Sequence, residues 1–491
     1  MIFADLFFLY IFLPAVIIFY LLGALADRWL RSVRAKKGTA QPGKNDDPFE
    51  NVVLIIFSLI FYAWGEPVYI WLMIFSVLVN YIAGLFISRG EKKSKAALTA
   101  GIIFNVAMIG VFKYSGLILE TLNIAGVPET FFNPASPPVG ISFYTFQSIS
   151  YLADVYRGDA RVQKNPFSLL LYISMFPQLI AGPIVRYSVV SEGISSRRIT
   201  VSDVSEGMFR FIIGLGKKVI LANQLSIISS QFLDGNLDGL SVGGAWLGII
   251  AFTFQIYFDF SGYSDMAIGL GRCFGFRFNE NFNYPYISST ITEFWRRWHI
   301  SLSSFFRDYV YIPMGGNRRH QPVNILAVWL LTGLWHGASW NFVLWGLYFG
   351  IIIMLEKYTL LKFEKKIPKV ILHLYSVFAI VFGWVIFYFE DFGRLGSFIK
   401  VMFGAAGNAA WDIVTQSAFT GNLYLIITAL ICSLPFGQLI RKEYCRSLER
   451  KGGGEAAAFA AGKLLVSVFI IGVSTLLLIS GTNNPFLYFR F

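Results

Sequence analysis

The chain has 491 residues, of which 55% are hydrophobic and 17% aromatic, and only 14% are charged. Soluble domains carry roughly a quarter charged residues, so a mean hydropathy of +0.59 excludes a soluble globular protein and makes this a membrane protein. The formal net charge of +12 fits loops facing the cytoplasm and anionic lipid headgroups, and nucleic acid is not expected as a partner.

The first apolar run, LFFLYIFLPAVIIFYLLGAL (6–25), is long enough to cross a bilayer and is preceded by no lysine or arginine, so it reads as a retained span. Apolar segments recur near 51–64, 68–88, 96–118, 139–153, 165–185, 208–225, 242–271, 323–355, 368–389, 422–440 and 464–481. The pattern predicts an all-α polytopic membrane protein with about eleven membrane segments, some too short or too polar to be simple spans. The loops 27–50 and 89–95 are basic and hence cytoplasmic, which places the N-terminus outside. The loops 120–140 and 226–244 contain no lysine or arginine and are outer. No internal repeat and no soluble segment with its own core interrupts the series, so residues 1–491 read as one membrane domain. Cys273, Cys432 and Cys445 lie far apart with no CxxC, which predicts neither a disulfide framework nor a metal site.

Two basic segments, 272–321 and 356–369, bracket the run 323–355, so that run must enter the membrane and return. Its first leg, Val323 to Trp335, rises ~1.5 Å per residue, ~18 Å in all, into a hydrocarbon layer ~30 Å thick. His336 then sits well inside the membrane, at a bend permitted by the small residues of HGAS. Backbone that leaves the helix at such depth must line a cavity or be buried in protein. A second histidine, His299, lies in EFWRRWHISLSSFFRDYVYIPMGGNRR (293–319), too charged to span and too aromatic for a free loop. That segment reads as interfacial helices, apolar faces toward the bilayer and arginines toward water. Just upstream, Asp259 and Asp265 fall inside an apolar run, where a carboxylate is costly and is functional or tightly paired.

The blocks YFDFSGYSDMAIGLG, FWRRWHISLSSFFRDYVYIPMGGNR and GLWHGASWNFVLWG resemble the signature blocks of membrane-bound O-acyltransferases, more narrowly the alginate O-acetyltransferase branch. Further blocks at 58–69, 137–158, 176–187 and 484–491 carry the resemblance along nearly the whole chain. The IPMGGNR ending suits the acetylating branch better than the branch that moves D-alanine onto teichoic acids. The resemblance implies re-entrant and interfacial helices around a central tunnel. It also implies transfer of acetyl from acetyl-CoA toward an exported polysaccharide, with His336 in the position held to be catalytic in the family and His299 in the family's RRWH position. Hydroxyl attack on a thioester needs a base, and a desolvated, neutral imidazole at His336 suits that role. His299 could bind the developing oxyanion, orient the thioester or hold the cytoplasmic vestibule together. Arg296, Arg297, Arg307 and Arg318, with a glycine turn at Gly315 and Gly316, form a basic rim able to meet the phosphates of CoA; on an interfacial helix the same residues also attract anionic membrane lipids. Asp259, Asp265 and Asp308 are expected to anchor cations or polar helix contacts, Gln147 and Asn341 to line the cavity, and His320 and His373 to be structural.

Alginate, peptidoglycan, cellulose, other exported glycans and a serine on a partner protein remain open as acceptors. The outer loops are too short to grip a polymer, so an exported hydrolase-like acetyltransferase is expected as partner, and the bacterial cell (inner) membrane is the implied location. D-alanyl or peptidoglycan O-acyl transfer stays as the alternative within the family. A transporter or a scaffold of a polysaccharide export complex is the non-enzymatic alternative, although no inverted halves are visible.

Overall fold

The computed structural model describes residues 1–36, 48–122, 137–438, 454–481 and 486–487. The central parts of the loops 27–50 and 120–140, on which the inside–outside reading rests, lie outside the described residues. Among the described residues the secondary structure is entirely helical. Eight helices among the described residues are long and apolar enough to cross a membrane, or nine if the bent pair Ile413–Gly421 and Leu423–Cys432 is one span.

As the pattern anticipated, several of the apolar segments are not simple spans: Pro48–Ala63 and Gln321–His336 are 16 residues each, and others build interior helices. The segment near 139–153 becomes Ile141–Arg157, with Gln147, Ser148, Ser150 and Asp154 all buried. The segment 165–185 breaks at Met175 into Pro166–Ser174 and Phe176–Leu179, the second of which has Pro177 in its first turn. At the other extreme, Ala460–Ser480 is only 6% buried over its most apolar stretch, as suits a helix surrounded by lipid.

The chain divides into two compact units, Met1–Phe211 with Ser264–Glu280, and Ile212–Tyr263 with Asn281–Phe491. In the first, Phe3, Phe8, Phe61 and Phe176 pack ring against ring. A buried polar knot reinforces them. Arg197 approaches Glu50 at 3.3 Å and donates to Asn51 Oδ1 at 2.6 Å, while the Tyr20 hydroxyl donates to Glu50 at 2.5 Å. Asp265 is held by Arg210 at 2.8 Å, and Arg210 also pairs with Glu280. The carboxylate read as paired from its place in an apolar run is therefore an ion-pair partner.

The second unit is organised around indole rings. Trp298, Trp345 and Trp384 are almost fully buried together with Phe294, Phe349 and Phe387. Asp259 meets Lys218 at 2.5 Å, with both side chains buried, and its second oxygen accepts from the Leu487 N–H at 2.8 Å. The Lys218 ammonium lies over the Phe486 ring at 4.6 Å. An ion pair thus fixes the described part of the C-terminal NPFLYFRF block.

Candidate active site

The run 323–355 folds as the sequence requires of an entering and returning leg. Pro322 opens the helix Gln321–His336, where a missing N–H leaves no helical bond unmade. That helix ends at His336; Gly337 is extended, and Trp340–Leu355 returns. The legs meet through glycines. A methyl group at Gly333 would stand 2.2 Å from the Phe342 carbonyl oxygen, and one at Gly346 2.3 Å from the Trp329 carbonyl oxygen. Backbone approach this close accepts no side chain.

His336 therefore occupies the bend, 6% exposed. Its ring meets Trp345 edge-on at 4.9 Å, Phe387 at 5.4 Å and its neighbour Trp335 at 4.9 Å. Trp335 also touches His299, at 5.5 Å. The two histidines, 37 positions apart in the sequence, share one aromatic cluster and are separated by a single indole.

His299 reaches that place through a turn between two short helices. Thr290 caps Ile291–Arg297 by accepting from the Glu293 N–H at 3.0 Å, while Glu293 accepts in return from the Ser289 N–H at 2.9 Å. The helix stops at Trp298, and His299 takes the left-handed conformation, φ 44 and ψ 55, before Ile300–Phe306 begins. Phe294, Trp295, Trp298, Leu302, Phe305 and Phe306 are all buried. The apolar side of this segment is thus packed inside protein, where the sequence pattern pointed it toward lipid; aromatic side chains of this size gain as much from a protein cavity as from acyl chains.

His299 has no exposed surface. Burial among Phe260, Phe282 and Trp335 pushes its pKa down to about 3. The unfolded chain, with an ordinary imidazole near ~6.5, takes up that proton first. Stability is consequently full above pH ~6.5 and falls as the pH drops toward 3. Acid titration of the melting temperature should show this loss in the native protein and a shallower one in His299→Gln; equal slopes would remove the assignment.

The four arginines expected to form a basic rim differ in their surroundings. Arg297 is paired with Glu293 at 2.9 Å and donates to the Asn283 carbonyl, and Arg307 is paired with Asp308 at 2.6 Å. Arg296 and Arg318 are exposed, with no carboxylate against them among the described residues. Gly315 and Gly316 both adopt positive φ, 109° and 54°, so the anticipated glycine turn is present. Next to it, Asn317 accepts from Lys357 at 3.0 Å, and Arg296 lies close enough to Lys357 for the like charges to interact.

Asn341 donates to the Phe387 carbonyl at 3.1 Å, and His373 Nδ1 lies 3.1 Å from the Ser288 carbonyl, so both tie helices together. The Gln147 amide is buried in the first unit, with neither polar atom hydrogen-bonded among the described residues.

The sequence pattern gave no hint of Glu356. It is 1% exposed, and its carboxylate accepts from the Ile291 N–H at 2.5 Å, the Thr292 N–H at 2.7 Å, the Thr292 hydroxyl at 2.6 Å and the Tyr375 hydroxyl at 3.2 Å. This carboxylate caps the helix that leads to His299 from the end of the leg that returns from His336. It joins the two histidine-bearing elements.

A polytopic helical membrane protein with two buried histidines in one aromatic cluster, one at the bend of a helical hairpin, is the class that fold and site define. The sequence model of the membrane-bound O-acyltransferase family matches residues 159–398. A probable alginate O-acetylase AlgI of Pseudomonas syringae pv. tomato is 38% identical, over 84% of this chain and 80% of that protein. Its counterpart in Azotobacter vinelandii is 35% identical, over 90% of this chain and 95% of that protein. A peptidoglycan O-acetyltransferase of Helicobacter pylori is 36% identical over 73% and 74%. The chain belongs to the membrane-bound O-acyltransferase family and is an O-acyltransferase of the membrane.

Proposed function

We propose that this O-acyltransferase, residues 1–491 acting as one domain, takes acetyl from cytoplasmic acetyl-CoA and passes it through the inner membrane for O-acetylation of an exported polysaccharide of the alginate kind. The observation that carries this reading is the burial of His336 at the hairpin bend with His299 one indole away. A neutral His336 takes the proton from an attacking hydroxyl as the new C–O bond forms; the C–S bond then breaks and the CoA thiolate leaves. A thiolate is a good leaving group, so no strong acid is needed on that side. His299 is the second catalytic residue, acting on the substrate from across Trp335.

Arg296 and Arg318 are the rim cations best placed for CoA phosphates, because no carboxylate occupies them. Arg297 and Arg307 keep their local carboxylates and add positive field. In this arrangement the basic segments face the cytoplasm and the N-terminus lies outside. An exported hydrolase-like acetyltransferase completes the transfer, because the outer loops of this chain are too short to hold a polymer. The names of the alginate O-acetylase relatives support an alginate-like acceptor. Peptidoglycan is the second reading, favoured by the Helicobacter pylori relative.

Reconstitution tests the relay. Liposomes carrying the purified protein and loaded with labelled acetyl-CoA should release free CoA inside and label external polysaccharide only when the partner is added outside. Labelling of the polymer by the protein alone, as fast as with the partner, would assign the acceptor site to this chain.

A further inference from the structure

The orientation of one amide decides what His299 is able to do. Asn281, 1% exposed, directs Oδ1 at three groups: the Ser301 backbone N–H at 3.2 Å, the Ser301 hydroxyl at 2.9 Å and His299 Nδ1 at 3.1 Å. A backbone N–H can only donate, so the atom facing it is the amide oxygen and not the nitrogen. Since Oδ1 can only accept, His299 Nδ1 must carry the hydrogen. The neutral ring then has its lone pair on Nε2, which is buried and has no hydrogen-bond partner among the described residues.

The backbone of Asn281 grips the same turn. Its carbonyl accepts from the Ile300 N–H at 2.9 Å, immediately after His299, whose positive φ is a conformation that side chains with a Cβ seldom adopt. Strained backbone persists where surrounding contacts over-determine it, and here one residue holds the ring of the strained position and the two residues that follow it.

We propose that Asn281 is a positioning residue that fixes His299 as the tautomer with hydrogen on Nδ1, so that Nε2 accepts a hydrogen bond from the substrate. This rests on the reading of His299 as functional and narrows it. A neutral ring held this way cannot donate to an oxyanion, which removes one of the three roles that the sequence left open. What remains is an acceptor for an X–H group, either the hydroxyl that is to be acylated or an amide N–H of the acyl donor's arm.

The groups around the ring are uncharged. Phe260 faces it from the helix Val242–Cys273 and Phe282 from the segment after Asn281. Ser301 faces it from its own helix and Trp335 from the hairpin. Tyr257 lies behind Phe282, and His336 lies behind Trp335. A charge introduced at 281 should therefore be felt without competition.

The test uses the full chain in detergent or nanodiscs, with acetyl-CoA and a hydroxyl acceptor, and the variants Asn281→Asp, Asn281→Leu and His299→Gln. Asp keeps the acceptor oxygen and adds a negative charge that favours the imidazolium. Its plateau rate should stay near that of the native protein, while the acid limb of its pH–rate profile moves up by about one unit or more. Leu removes the acceptor and frees the tautomer, and kcat should fall by ~100-fold or more in folded protein. An unmoved acid limb in Asn281→Asp, or a native kcat in Asn281→Leu, overturns the inference; if Asn281→Leu does not fold, the Asp profile decides alone. His299→Gln separates the two levels. Native activity there removes the functional reading of His299 itself, whereas an inactive His299→Gln beside native Asn281 variants removes only the positioning. Within a supported inference, a raised KM for acetyl-CoA in His299→Gln assigns the X–H to the donor's amide, and a lowered kcat at saturating acetyl-CoA assigns it to the hydroxyl.

Discussion

His336→Ala loses acyl transfer by ~10² to 10⁴ in kcat, the range a positioned general base contributes, while the protein remains folded. The ring stands at the only break of a tight hairpin, after the last turn of Gln321–His336 and before Trp340–Leu355. Its neighbours Trp335, Trp345 and Phe387 are apolar surfaces, and removing the ring leaves Trp345 packed against Phe349, Trp384 and Phe387. The histidine therefore contributes less to holding the hairpin than Gly333 and Gly346, whose lack of side chains lets the legs meet. Thioester cleavage measured with and without a hydroxyl acceptor gives the reading. Full turnover by well-folded His336→Ala protein would falsify the assignment of the base. His336→Gln, which fills the space and hydrogen-bonds but cannot take up a proton at neutral pH, should be as inactive as the alanine variant.

The hairpin was legible because two different signals converged on one stretch: charge on both flanks forced the run to return, and HGAS supplied the place to bend. The aspartates were legible as paired because an unpaired carboxylate in an apolar run is too costly to persist. Their partners were not. Lys218 and Arg210 lie on another helix, 41 and 55 residues away, and nothing in a linear pattern marks which cation an aspartate will meet. Glu356 was misleading for a related reason. In EKYTLLKFEKK it reads as one charge in a solvated basic loop, yet it is buried because the free N–H groups at the start of Ile291–Arg297 come to it from 64 and 65 positions away. Asn281 lies in a polar stretch, NENFNYP, where an amide is unremarked; only the fold reveals that it faces a histidine 18 residues later. Periodicity and charge alternation report on each helix against its solvent. Hydrogen bonds between helices require the packing first.

The largest effect on stability is expected at Lys218. Its ammonium and the Asp259 carboxylate are 2.5 Å apart, with side-chain exposures of 2% and 5%, so neither charge is relieved by water. Removing one partner of such a pair strands the other, which typically costs about 3–5 kcal/mol. Lys218→Met should therefore lower the melting temperature strongly and loosen the hold on Leu487, because the Asp259 carboxylate that accepts from the Leu487 N–H is left buried without its counter-charge. The Phe486 ring, which rests over the ammonium and edge-on against Tyr263, loses one of its supports. The double variant Lys218→Met with Asp259→Leu discriminates the causes. With both charges gone the desolvation penalty disappears, and most of the lost stability should return, short of the contribution of the Leu487 hydrogen bond. Thermal unfolding followed by size-exclusion chromatography measures all three proteins in the same detergent. If the double variant is as unstable as Lys218→Met, the loss came from packing around the lysine stem, and the buried charge is not what the pair balances.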